Sequence, residues 1–251
     1  MKFVTPQEGN RHSLQTLDAL YRYEDFMESI CTMVDLGCGS GDDLMWWATR
    51  TTQEDNPKPL NIQCTGVDIT SSLAESTRHP NLVFYHQDFE EPVPTTKGTY
   101  DVLWCYDAFQ YCLNPIKTLS QWWYMASDSA MLALIIPQTT NISQKQLAFT
   151  QPDRCYYHHT LVSLIHHLAV SGWDCQSGFF LKKPTDPWIH AVVYKSQHKP
   201  LDPKTTSWHD LHELGLLPAS ASASVYAHNE LRQQDLILPW LDKSLSILAK
   251  Q

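Results

Sequence analysis

The chain is predicted to fold as a doubly wound α/β unit. Its mostly parallel, seven-stranded sheet ends in a C-terminal antiparallel hairpin and carries helices on both faces. Three observations carry this reading. Short apolar runs of strand length alternate with segments of helical period. An early turn, Val34-Asp35-Leu36-Gly37-Cys38-Gly39-Ser40-Gly41, passes from a strand pattern through three closely spaced glycines into a helical pattern. The last two strand-like runs are joined by Pro184-Thr185-Asp186-Pro187, a reversal too short for a parallel crossover.

Taken in order, Leu14, Leu17, Leu20 and Tyr21 recur at helical spacing and predict one leading amphipathic helix over 12–30. Strands are expected at 32–37, 62–69, 81–88, 100–107, 130–137, 175–183 and 188–195. Helices are expected at 43–50, 71–78, 115–126 and 160–172. Strands separated by helical segments imply right-handed crossovers and a sheet covered on both faces. The pattern breaks over 138–158, a polar stretch longer than a simple turn requires. After Lys195 the composition shifts to a linker-like stretch and then to two segments of helical period. The chain therefore divides into an N-terminal helical lid (1–30), a central α/β domain (31–196) and a C-terminal helical appendage (197–251).

At 251 residues, with 43% hydrophobic and 18% charged residues, the chain can bury a full core in one main domain. It holds no apolar run of the roughly 18 residues a membrane span needs, and its first residues lack a signal-peptide core. A cytoplasmic location is expected, with no membrane partner. The formal charge of −9 argues against a general nucleic-acid binder, whose affinity comes mainly from Lys and Arg on phosphates. Seven scattered cysteines with no C-x-x-C pair read as reduced, mostly packed thiols.

The glycine turn presents backbone N–H groups and a helix N-terminus to a ligand, which would suit a dinucleotide, a phosphate or a carboxylate. The dinucleotide fingerprint G-x-G-x-x-G, however, would need a glycine where Asp42 stands. Asp42 and Asp43 in the first helical turn would also repel a pyrophosphate, and no G-K-[ST] follows. A cationic nucleoside without phosphate fits better.

These residues resemble the first motif of the class I S-adenosylmethionine-dependent methyltransferases, and the resemblance extends over roughly 30–195. It implies a Rossmann-like methyltransferase fold with S-adenosylmethionine as cofactor. By the resemblance, Asp35, Gly37, Cys38, Gly39 and Gly41 hold the methionine part, with Asp35 facing its ammonium group. Asp68, at the end of the second strand and 27 positions beyond Gly41, would accept both ribose hydroxyls with Ile69 beside it. Asp88 and Phe89, after the third strand, would contact the adenine. Leu103 to Tyr111 resembles small-molecule enzymes of the ubiquinone and menaquinone biosynthetic type and would place Tyr106 and Asp107 near the transferable methyl. The absent N-P-P-[YF] motif argues against a nucleobase acceptor.

Methyl transfer needs mainly in-line alignment, and a base only if the acceptor must lose a proton. Candidates for that base are Asp107 and, within Tyr156, Tyr157, His158 and His159, above all His158; these four could equally pack or face solvent. His166 and His167 read as packed or solvent-facing. His209, His212 and Glu213 have one-turn spacing but lack the order of a metal motif, so no metal site is assigned. Each adjacent tryptophan pair, Trp46/Trp47 and Trp122/Trp123, is expected to place one member in the core and one at an edge. Asp43 reads as a simple helix-start carboxylate. The leading expectation is methyl transfer to a small molecule. Modification of the cofactor itself and a catalytically silent scaffold are the alternatives.

Overall fold

A computed structural model describes residues 12–69, 78–93, 98–137, 157, 159–182, 188–221, 225–226, 228–232 and 236. Its seven strands are β1 (Thr32–Leu36), β2 (Gln63–Asp68), β3 (Leu82–His86), β4 (Tyr100–Tyr106), β5 (Ala126–Pro137), β6 (Trp173–Lys182) and β7 (Trp188–Lys195). They form one sheet of order β3-β2-β1-β4-β5-β7-β6. The first five run parallel, and β7 pairs antiparallel with both β5 and β6. The predicted fold class is therefore the observed one. Among the described residues no helix is long and apolar enough to cross a membrane.

Both faces are buried because successive strand residues point in opposite directions. From β1, β4 and β5, the residues Val34, Leu103, Cys105, Leu132 and Leu134 enter one core; Met33, Val102, Trp104, Ala133 and Ile135 enter the other. Helices α4 (Pro115–Met125) and α5 (Leu161–Val170) cover the first face, and α1 (Ser13–Tyr21) and α3 (Asp42–Ala48) the second. Local chemistry sets where these helices begin. Asn114 caps α4, accepting from Lys117 N with Pro115 at the first helical position. A reciprocal Thr160–Ser163 box starts α5.

Several boundaries differ from expectation. The leading segment is two helices, α1 and α2 (Glu24–Ser29), broken at Arg22–Tyr23. Strand β5 begins at Ala126, directly after α4, where it pairs with Tyr100 before a bulge. Trp122 and Trp123 are both buried. Trp122 packs on Phe89 and Phe109 and donates to the Phe89 carbonyl, while Trp123 lies beneath the Gly172 turn and the Lys195 ammonium. Helix α4 is thus enclosed on two sides, so adjacent aromatics can both be core. Trp46 and Trp47 follow expectation, with only Trp47 fully buried. Downstream of the sheet, α6 (Trp208–Glu213) is capped by a Ser207–Asp210 box, and the helix expected beyond it falls mostly outside the described residues, as do 70–77 and 138–156.

Glu90 fastens the turn after β3 to the segment entering α4. Its carboxylate accepts from Leu113 N at 2.8 Å, Asn114 N at 3.2 Å, Thr118 Oγ1 at 3.3 Å and Cys112 Sγ at 3.3 Å. Partial burial alone would raise its pKa, but these hydrogen bonds outweigh it and hold the carboxyl below the usual value. A depressed folded-state pKa contributes stability at pH above the unfolded value, and that contribution is lost as pH falls through the folded one. Glu90→Gln should therefore destabilise the protein by about 1–3 kcal/mol at neutral pH. In urea melts, the gap from wild type should narrow as pH drops below about 4.3, the ordinary glutamate value.

Candidate active site

The site lies where the parallel part of the sheet reverses its order of building. From β1 the chain proceeds outward to β2 and β3, then returns across β1 to place β4 on its other side. The loops leaving β1 and β4 diverge there, which opens a crevice at the strand C-termini. The sequence 37–41 follows β1, and Tyr106–Asp107 ends β4.

Gly37, Gly39 and Gly41 all adopt positive φ (84°, 52° and 84°), which allows the loop to coil beneath the crevice. The Gly37 and Cys38 N–H groups donate to the Val67 carbonyl at 2.8 and 3.1 Å, tying the loop to the end of β2. Asp68 Oδ2 then accepts the Gly39 N–H at 2.8 Å. Across the crevice the approach is closest at Gly37, where a Cβ would stand 2.2 Å from the Cβ of Ala108 and 3.7 Å from the Phe89 ring. Gly41 caps α3.

The resulting cavity, of about 240 Å³, is lined by Asp35, Gly37, Cys38, Gly39, Ser40, Asp42, Asp43, Tyr106 and Asp107. Four of these carry carboxylates and none carries a cation. Asp43 is buried, accepting the Ser13 hydroxyl on one oxygen (3.0 Å) and the Trp104 indole N–H on the other (2.9 Å). It is therefore a buried tie between α1, α3 and β4, and the reading of it as a simple helix-start charge is corrected. Tyr106 packs on Trp188 (ring centroids 5.4 Å apart), which in turn carries the His12 ring at 5.0 Å.

Asp107 holds a left-handed backbone (φ 52°), an uncommon conformation for a non-glycine residue. Its carboxylate accepts from Gln110 Nε2 at 2.7 Å, and its carbonyl accepts from the same nitrogen at 3.0 Å. Desolvation by surrounding protein atoms raises the Asp107 pKa, opposed by the Gln110 hydrogen bond and by the charge of His12. Burial, with the Asp35 and Asp68 charges adding to it, pushes the Cys38 thiol far up, so Cys38 is a neutral wall of the cavity and no nucleophile.

Residues 33–125, which contain every residue lining this cavity, match the family model described as a methyltransferase domain. The stretch is a class I methyltransferase domain. It is a domain of enzymes that take their methyl group from S-adenosylmethionine. No curated protein sequence matches the chain significantly. The solved structures it resembles include the Burkholderia thailandensis 1,6-didemethyltoxoflavin-N1-methyltransferase with bound S-adenosylhomocysteine, at 12% identity and a TM-score of 0.52, covering 72% of this chain and 77% of that one. They also include the plantazolicin methyltransferase BamL (16%, TM-score 0.56, 74% and 84%) and geranyl diphosphate methyltransferase with its cofactor (12%, TM-score 0.55, 74% and 87%). At these identities the likeness is one of fold.

Within the methyltransferase domain, Asp35, Gly37, Cys38, Gly39, Tyr106 and Asp107 share the cavity, and Asp68 joins it through Gly39. Phe89 reaches the floor beside Gly37. Asp88 is exposed, with Oδ1 accepting the Glu90 N–H in a turn, and Ile69 is 69% exposed beyond β2, its carbonyl 2.9 Å from His86 Nε2; neither lines the cavity. His158 lies outside the described residues. Its neighbour His159 is buried, stacked between Phe109 and Tyr157, while Tyr157 N–H donates to the Gln110 carbonyl. His166 packs on Trp208, and burial with the neighbouring His166 charge lowers the His167 pKa to about 4; both fit the packed reading. His209 and Glu213 stand 4.0 Å apart on α6, and no metal-holding group occurs among the described residues. Ser40, which lines the cavity, and Gln110, which holds the Asp107 carboxylate, are the residues here that spacing did not single out.

Proposed function

We propose that the chain transfers a methyl group from S-adenosylmethionine to a small-molecule acceptor by in-line displacement. The observation that carries this reading is the cavity wall, where a glycine-rich loop with only small side chains meets four carboxylates and, among the described residues that line it, no cation, at the sheet's switch point. Such a wall repels a pyrophosphate and attracts a ligand bearing positive charge. When bound, S-adenosylmethionine supplies an electrophilic methyl carbon on a sulfonium. Asp35 would face the ammonium end of this cofactor, and Asp68, held by Gly39, the ribose. Phe89 and Asp88 would flank the adenine. Tyr106 and Asp107 would stand at the acceptor side, and His158 is the further candidate for a base. The 103–111 stretch supports placing the chain nearest the ubiquinone and menaquinone biosynthetic type.

Residues 1–30 are read as a lid and 197–251 as an appendage on the central domain. Two buried polar contacts support the lid reading: Ser13 to Asp43, and Thr16 Oγ1 to His190 Nδ1 at 2.9 Å. Free thiols, buried except for Cys31 among the described cysteines, suit a reducing, cytoplasmic compartment.

The test is incubation with methyl-labelled cofactor, with and without a metabolite extract, followed by mass spectrometry. The expected result is label in a low-molecular-weight product and stoichiometric S-adenosylhomocysteine. Cofactor altered in the absence of any acceptor would replace this reading with self-modification of the cofactor. Absence of binding to both cofactor and S-adenosylhomocysteine would replace it with a silent scaffold.

A further inference from the structure

Asp43 lines the cavity but has no part in the reading above. It is 6% exposed, and each of its oxygens accepts a hydrogen bond, Oδ1 from the Ser13 hydroxyl at 3.0 Å and Oδ2 from the Trp104 indole N–H at 2.9 Å. Acceptance on both oxygens fits an ionised carboxylate. Ser13 is fully buried at the first position of α1 and lies outside residues 33–125. A helix outside the methyltransferase stretch thus fixes a residue of the cavity wall.

The sheet register brings Asp43 to the same face as Asp35. Asp35 pairs with Trp104 across β1 and β4, and alternation along β1 puts it on the side of Met33, the face that also receives Trp104 and is covered by α1 and α3. Trp104 is therefore the cross-strand neighbour of one wall carboxylate and the donor to the other. A tie between α1, α3 and β4 needs no charge, since apolar side chains of similar volume often hold as well as buried ionic groups. Asp35 and Asp43, both buried in one wall, also repel one another. A cation in the cavity offsets both costs, and S-adenosylmethionine carries one at its ammonium end.

We infer that Asp43 is a second acceptor, beside Asp35, for the ammonium group of the cofactor, and that Ser13 and Trp104 are positioning residues that hold it there. The inference rests on the methyltransferase reading and adds α1 to the cofactor site. Each donor fixes one oxygen, so the carboxylate keeps its place in the wall. A carboxylate accepts several hydrogen bonds at once, which lets Asp43 hold these donors and an ammonium N–H together. Asp42, next to it, is exposed and accepts from the Ser40 hydroxyl instead.

Calorimetry of the full chain with two probes separates this role from a structural one. S-adenosylhomocysteine carries the ammonium, whereas 5′-methylthioadenosine shares its adenine, ribose and thioether and lacks the whole amino-acid end. Ser13→Ala should weaken S-adenosylhomocysteine binding about fivefold and Asp43→Asn about 20-fold, while 5′-methylthioadenosine affinity stays within about twofold of wild type in both. In the Asp43→Asn background, Ser13→Ala should cost less than about twofold more, because the carboxylate it acts through is gone. Thr16→Val removes the buried contact of α1 to His190 without touching Asp43, and should lower Tm while leaving both affinities within about twofold. If Ser13→Ala fails to fold, Asp43→Asn and the two probes carry the test. Equal losses for both probes, unchanged S-adenosylhomocysteine affinity in both variants, or a loss in Thr16→Val as large as in Ser13→Ala overturns the ammonium seat. So does a wild-type chain that binds 5′-methylthioadenosine as tightly as S-adenosylhomocysteine. A wild-type chain that binds neither probe overturns the methyltransferase reading itself.

Discussion

Asp68→Ala is expected to weaken binding of S-adenosylhomocysteine by about 100-fold, which corresponds to about 2.7 kcal/mol. Two contributions make that figure a lower bound. A carboxylate accepting hydroxyl donors gains about 1.5–3 kcal/mol per charge-assisted hydrogen bond, and the two ribose hydroxyls proposed for this site would supply two. The same side chain also accepts the Gly39 N–H at 2.8 Å, so its removal releases the middle of the glycine loop as well as the ribose. Asp68→Asn keeps an oxygen acceptor and the side-chain shape, and should lose about tenfold. Asp88→Ala, at an exposed turn outside the cavity, should cost less than either. Calorimetric titration of the three variants checks the order. Equal affinity in Asp68→Ala and wild type would remove the ribose assignment, and with it the orientation of the whole cofactor in the crevice.

The parts of this site legible from the sequence are those whose geometry is local. Gly37, Gly39 and Gly41 lie within five positions and directly follow a strand, so their left-handed turn and their place at a strand end could be read together. Asp68 and Asp107 were equally readable as the acids closing β2 and β4, because a buried parallel strand is a distinct apolar run and its end is marked by polarity. The role of Asp43 was not legible. Its donors, Ser13 and Trp104, lie 30 positions before it and 61 after it, and only the packing of α1 and β4 on α3 brings them to one carboxylate.

The pairing of Gln110 with Asp107 had a weak local signal, three residues apart, but it required the chain to enter a 3-10 turn at Phe109–Tyr111 with Asp107 left-handed. The tryptophans show the opposite failure. The rule that adjacent helical residues face apart holds for Trp122 and Trp123, but Gly172 and Lys195, supplied from distant sequence, cover the second face.

The largest structural effect is expected from Gly37→Ala, because two independent costs meet at one atom. The residue sits at φ 84°, where a Cβ is strained by about 1–2 kcal/mol. Its Cβ would also stand 2.2 Å from Ala108 Cβ, against the 3.5–4.0 Å of an ordinary carbon contact. Relief requires the β1 and β4 loops to separate by more than about 1 Å, and those two loops form the cavity. The expected outcome is loss of measurable S-adenosylhomocysteine binding together with a lowered Tm. Gly39→Ala provides the contrast, since a Cβ there meets nothing within 4 Å and only the backbone strain at φ 52° remains. It should bind more tightly than Gly37→Ala.

The two costs can be separated further by adding Ala108→Gly to Gly37→Ala, which deletes the clashing partner and leaves the φ strain in place. The double variant should recover most of the binding and part of the Tm, giving a coupling energy of the size seen for residues in direct contact, about 0.5–3 kcal/mol. If the two substitutions instead combine additively, the β1 and β4 loops are not pressed together at this point. The crevice would then owe its shape to the glycine backbone alone.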